Sequence, residues 1–221
     1  NADEPEMEVS SPALEAERER IESEIRNAEA ALIDQIDPAA YKRWKQETLA
    51  RTAQWTTLRP ESMKSTRPLL ELMEDGSVFA SGDFQKRDVY RLKYDLKNQF
   101  ERQVSAIRIE ALPDERLPAN GPGAAYYEGR KGDFFLSEVI AKSGETSLAF
   151  KGASIDFGKI AIGSGKSLGT NVYDGIGSSG WSTATQEGKR HELVLLLDSP
   201  QSLQELSIEM VFERHFVAAL G

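Results

Sequence analysis

Side chains able to do covalent chemistry are few in this chain. His191 and His215 are its only histidines, and neither has a second histidine at metal-ligand spacing. No Gly-x-Ser-x-Gly turn is present to raise a serine nucleophile. The absence of cysteine excludes thiolate catalysis, disulfides, cysteine-bound metals and covalently attached haem from this chain. Asp114 and Glu115 are neighbouring carboxylates, but a glycosidase pair must be held across a cleft, and adjacency on a loop does not establish that. Gly163-Ser164-Gly165-Lys166-Ser167 has the ending of a phosphate-binding loop. The motif's first glycine would stand where Ile160 is, and no amphipathic helix follows to supply a dipole and an amide cradle, so the segment reads as a glycine/serine loop.

Residues suited to binding are better represented. Between Asn171 and Trp181 an Asp174-Gly175 turn is followed closely by Gly180-Trp181. That loop brings together a carboxylate, backbone carbonyls and an indole, the materials for a calcium site at Asp174 and for stacking of Tyr173 and Trp181 on a sugar. The competing reading makes Trp181 a core residue closing one end of the fold. A second candidate is the long Gly/Pro-rich connection 114–131, which carries Tyr126, Tyr127 and Arg130. Their rings and guanidinium suit sugar faces, hydroxyls and carboxylates. Equally, the segment can be an Ω-like loop whose tyrosines pack on its own base.

The elements that must hold these loops are legible from periodicity. Ser11-Pro12 and Asp37-Pro38 are helix starts, a capping side chain followed by proline where no amide donor is needed. Leu14, Ile21, Ile25, Ala28 and Leu32 keep an a/d spacing interrupted by Arg18, and Tyr41, Trp44, Thr48 and Trp55 continue it on the next segment. Two helices joined by a short turn predict a helical hairpin over 10–54, behind an acidic tail at 1–9. After Pro60 the period changes to two. Tyr90, Leu92, Tyr94 and Leu96 alternate with Arg91, Lys93 and Asp95, and Leu206, Ile208, Met210 and Phe212 do the same. Asp75-Gly76 marks a hairpin between 69–73 and 77–81, and further strands are predicted at 103–112, 133–142, 147–157 and 190–197. About eight short strands predict a mainly β domain over 55–221, an antiparallel jelly-roll β-sandwich.

Charge narrows the partners. With 36 acidic against 27 basic residues the net charge is −9, which argues against nucleic acid. No apolar run is long enough for a membrane span. The chain opens on Asn1 rather than methionine, which predicts a processed or excised portion of something longer.

Several fragments occur in an order that resembles the middle region of planctomycete-type proteins combining a cytochrome c domain with conserved regions of unknown function. They include Trp55-Thr56-Thr57-Leu58-Arg59-Pro60, Asp75-Gly76-Ser77-Val78-Phe79, Ile107-Arg108-Ile109-Glu110-Ala111-Leu112-Pro113-Asp114, Gly121-Pro122-Gly123, Phe134-Phe135-Leu136-Ser137-Glu138, Ala153-Ser154-Ile155-Asp156-Phe157 and Gly188-Lys189-Arg190-His191. Ala124 stands where that family often has arginine, and Lys131-Gly132-Asp133-Phe134 replaces its usual Asn-Gly-Asn-Phe. Asp174-Gly175 through Trp181 is also similar to a turn of discoidin-type, galactose-binding-like jelly rolls. These resemblances imply a secreted or periplasmic parent protein in which haem belongs to other domains, with neighbouring domains as partners. The resulting expectation is a non-catalytic carbohydrate-binding module contacting its ligand through Tyr126, Tyr127, Arg130, Tyr173 and Trp181, with calcium at Asp174 and no other cofactor. The alternatives are a structural adaptor that orients neighbouring domains and a polysaccharide-acting enzyme.

Overall fold

The computed structural model describes residues 11–35, 37–50, 52, 54–97, 103–161 and 167–221. The acidic tail 1–9 and Gly163 to Lys166 of the glycine/serine loop lie outside the described residues. The chain divides into two compact units, Asn1–Thr56 and Thr57–Gly221.

The first unit holds α1 (Pro12–Asp34) and α2 (Pro38–Ala50). The Ser11 hydroxyl accepts the Leu14 N–H at 3.2 Å and the Asp37 carboxylate accepts the Ala39 N–H at 2.9 Å, so both helices begin at their expected caps. Ion pairs one turn apart brace α1, among them Arg18 to Glu22 at 2.9 Å and Arg26 to Glu22 at 3.8 Å. The apolar seams of the two helices stay uncovered. Leu14, Ile21, Ile25 and Leu32 of α1 and Tyr41 and Trp44 of α2 are all exposed, and among the described residues the helices do not pack on one another. Tyr41 and Trp44 lie against each other within α2, with ring centroids 5.7 Å apart. Among the described residues no helix is long and apolar enough to cross a membrane.

The second unit is mainly β and antiparallel. Its strands are β1 (Ser62–Ser65), β2 (Leu69–Leu72), β3 (Val78–Ser81), β4 (Arg87–Asp95), β5 (Val104–Ala111), β6 (Glu138–Ser143), β7 (Thr146–Ser147), β8 (Phe150–Ile155), β9 (His191–Gln201) and β10 (Glu205–Glu213). They form a five-stranded sheet ordered β1-β4-β10-β6-β7, a three-stranded sheet ordered β5-β9-β8 and the β2-β3 hairpin. In that hairpin the Gly76 N–H donates to the Met73 carbonyl and Gly76 takes φ +90°, the left-handed conformation a tight turn requires.

One core joins the two larger sheets in a sandwich-like arrangement. Tyr90 and Leu92 of β4 and Leu206, Ile208 and Phe212 of β10 meet Ile107 of β5 and Leu193, Leu195 and Leu197 of β9. Each fully buried leucine contributes roughly 2 kcal/mol of hydrophobic free energy. On β9, Leu196 points the other way and stays exposed, as strand alternation requires.

Three departures from the predicted strands have physical causes. The stretch 133–142 is a ladder strand only from Glu138 onward. Phe134, Phe135 and Leu136 are buried in succession, and from Phe135 onward the segment finds a different backbone partner at each step instead of one neighbouring strand. Phe135 N–H donates to the Ala218 carbonyl, Leu136 exchanges hydrogen bonds with Trp181, and Ser137 N–H donates to Val211. The stretch 147–157 splits into β7 and β8 because the chain leaves one sheet for the other, with Leu148 N–H bonded to Ala141 and the Ala149 carbonyl to Asp198 N–H. β1 was not predicted. Its sequence Ser-Met-Lys-Ser has a single apolar residue and is held by pairing with β4.

Candidate functional site

The long connection after β5 is anchored by a buried stretch. Gly121 through Ala125 are buried, as are Gly132 through Ser137, and the two runs lie side by side. Gly123 N–H donates to the Gly132 carbonyl at 2.8 Å, Gly132 N–H to Ala125 at 2.9 Å, and Ala124 N–H to Ala219 at 2.9 Å. The approach is so close at Gly123 that a Cβ there would lie 1.8 Å from the Asp133 carbonyl oxygen. The tip, 126–131, is largely exposed, as are Glu115, Arg116, Ala119 and Asn120 nearer the start of the connection.

At that tip Tyr126 and Tyr127 stand edge to face with ring centroids 4.6 Å apart, and Tyr127 is 76% exposed. The expected alternative, tyrosines tucked onto the loop's own base, is not what the structure shows. Lys131 Nζ lies 4.8 Å above the Tyr126 ring. Glu128, with φ +62°, pairs with Lys86 at 3.6 Å. Beneath the tip, Gly129 sits on the buried Phe216 ring.

Arg130 forms an ion pair with Glu187, whose carboxylate also accepts the Thr185 N–H at 2.9 Å. Burial opposes ionisation of Glu187, yet Arg130 and that N–H hold it below its ordinary value. The arginine is thus braced rather than free to swing. Glu187 had no signal in the sequence, since its partner lies far away along the chain.

Asp133 closes the stem from inside. Burial pushes its carboxyl up to about 6, partly offset by hydrogen bonds from the Ser182 hydroxyl at 2.8 Å and the Phe134 N–H at 2.9 Å.

Trp181 is a correction to the expected ligand set. It is fully buried, its indole N–H donates to the Phe157 carbonyl at 2.9 Å, and its ring meets Phe134 edge to face at 5.0 Å. The exchange of hydrogen bonds with Leu136 turns the indole inward, so no face is left for a sugar. Tyr173 is half-buried against Phe150 at 5.5 Å and does not join the tyrosine tip. It lines a groove of about 700 Å³ together with Phe150, Arg87, Glu138, Glu209 and Glu213. Glu209 is paired with Arg91 at 2.6 Å and Glu213 with Arg87 at 3.2 Å. Burial, then the negative charge of Asp174, raises Glu138. These groove residues come from four strands and a loop, and no single segment of sequence reveals them. Lys86, which holds the tip through Glu128, is followed directly by the groove residue Arg87.

Asp174 serves its own loop. Its oxygens accept the Ile176 N–H at 2.9 Å, the Ser179 hydroxyl at 2.7 and 2.9 Å and the Asn171 amide at 3.2 Å. A carboxylate so engaged by donors does not fit a calcium-ligand set, and among the described residues no group of three or more His, Asp or Glu side chains is placed to hold a metal. The histidines lie apart in role. His191 is buried, with Nδ1 2.8 Å from Asp156 and Nε2 3.3 Å from the Gln186 carbonyl, whereas exposed His215 rests edge-on against Phe216. Ser167, the hydroxyl that would follow a phosphate-loop lysine, is buried and donates to the Gly180 carbonyl at 2.9 Å.

No family model, curated protein or solved structure matches the chain.

Proposed function

We propose that the unit Thr57–Gly221 is a non-catalytic binding module of jelly-roll, galactose-binding-like type whose ligand is carbohydrate. The observation that carries this reading is the pair Tyr126 and Tyr127, two exposed rings on a tip whose stem is buried and hydrogen-bonded. Exposed aromatic surface on a rigid base gives a sugar ring a stacking platform at low ordering cost. Arg130 and Lys131 beside it supply donors for hydroxyls, and the neighbouring groove adds Tyr173 and three glutamates as acceptors. A parent protein that is secreted or periplasmic, with haem in its other domains, rests on the sequence resemblance alone. Screening the chain against a polysaccharide array tests the reading. Retention of at least one glycan class supports it, and an empty array at high protein concentration refutes it.

A second reading, a structural adaptor, draws on a separate observation. The apolar seam of α1 is exposed along its length, as expected of a helix that meets a partner.

A further inference from the structure

We infer that α1 is one strand of a heterotypic coiled coil, and that its partner is a helix with aliphatic a and d residues flanked by Lys or Arg at e and g. This deepens the adaptor reading and is independent of the tyrosine tip. In the heptad frame of α1, Leu14, Ile21 and Ala28 occupy d, while Arg18, Ile25 and Leu32 occupy a. The four large aliphatics of this seam are 44–66% exposed, so the stripe is uncovered.

The flanking positions decide what covers it. Glu15, Glu22 and Glu29 fall at e, and Glu17 and Glu24 at g, leaving Ala31 as the remaining g residue. In a parallel pair of identical helices g faces e, and in an antiparallel pair g faces g and e faces e. Either arrangement of two copies sets glutamate against glutamate, so the sequence is built against self-pairing. Basic residues at the same positions of another helix would meet these carboxylates instead. The helix's own arginines offset only part of the charge: Arg20 pairs with Glu17 at 2.6 Å and with Glu24, and Arg18 pairs with Glu22. From Pro12 to Asp34 there are seven acidic residues against these two and Arg26. Arg18 at an a position fixes register, because it selects a polar or acidic residue opposite.

The test uses the full chain and two synthetic helical peptides of equal length, both with Ile/Leu at a and d, one with Lys and one with Glu at every e and g. Titration calorimetry and far-UV circular dichroism read binding and helix gain. The inference predicts at least a tenfold preference for the lysine peptide, loss of that binding in Ile25→Asp, and weakening as salt rises. It also predicts that the combined Glu15→Lys, Glu17→Lys, Glu22→Lys, Glu24→Lys and Glu29→Lys variant prefers the glutamate peptide. Equal binding of both peptides, or self-association abolished by Ile25→Asp, would overturn the charge assignment while leaving an adaptor role in place. Binding of neither peptide, with a monomeric chain, would overturn both.

Discussion

Trp181→Ala separates a core residue from a ligand contact. The indole is fully buried, touches Phe134 edge to face and donates to the Phe157 carbonyl. Removing so large a buried side chain costs about 3–5 kcal/mol through lost transfer energy and the cavity left behind. Leaving the Phe157 carbonyl without its donor adds roughly 1 kcal/mol or more, so the expected loss is about 4–6 kcal/mol. For a unit of this size that lowers the melting temperature by roughly 10–20 °C. Because a domain's whole stability is only about 5–15 kcal/mol, Trp181→Phe is the companion variant. It keeps most of the volume, loses the N–H donor and one ring of the indole, and should cost about 1–3 kcal/mol. Urea unfolding followed by far-UV circular dichroism measures both, since tryptophan emission would itself change. A loss under about 1 kcal/mol for Trp181→Ala, together with lost glycan binding, would refute the burial argument and restore the indole to the ligand surface.

Other predictions concern the stem and the tip. Gly123→Ala places a Cβ against the Asp133 carbonyl oxygen and should cost more than about 4 kcal/mol or prevent folding, read as soluble yield and melting temperature; a near-native melting temperature would show that the stem can open. Asp133 has a folded value of about 6, above its ordinary 3.8, so its share of stability is complete below about pH 4 and is lost as pH rises through about 6. Asp133→Asn retains an acceptor for Ser182 and the Phe134 N–H; relative to wild type it should gain up to about 3 kcal/mol between about pH 4 and pH 7, and urea midpoints with no pH-dependent difference would contradict this. Arg130→Ala leaves the largely buried Glu187 carboxylate without its cation and should weaken glycan binding several-fold at a stability cost of about 1–3 kcal/mol, read from urea midpoints.

Local rules made much of the fold readable in advance. Ser11 and Asp37 cap the helices they announce, Asp75-Gly76 turns the hairpin it marks, and the alternation in 87–95 and 205–213 puts the expected faces into the core. Sequence signals failed where burial is not periodic. Phe134, Phe135 and Leu136 are interior in succession, and a run of apolar residues does not say whether it pairs in a sheet or threads between sheets. The helical seams are legible as seams, but spacing alone does not show whether anything covers them. At the candidate site, sequence left the exposure of Tyr126 and Tyr127 open and favoured a buried Trp181, a tryptophan beside a strand being usually interior. Each depends on long-range contacts, the stem against Ala219 and the indole against Phe157 and Leu136. Arg130 was legible as a side chain able to bind, but its brace Glu187 was not, because the pairing exists only once the two loops meet.

The central claim is that Tyr126 and Tyr127 form the contact surface. Titration calorimetry of wild type and Tyr126→Ala/Tyr127→Ala against a polysaccharide retained by wild type tests it most directly. The account predicts at least a tenfold loss of affinity while the melting temperature stays within a few degrees of wild type, since the removed rings pack mainly on each other and on solvent. Unchanged affinity in a folded double variant would contradict it and move the binding surface elsewhere on the domain.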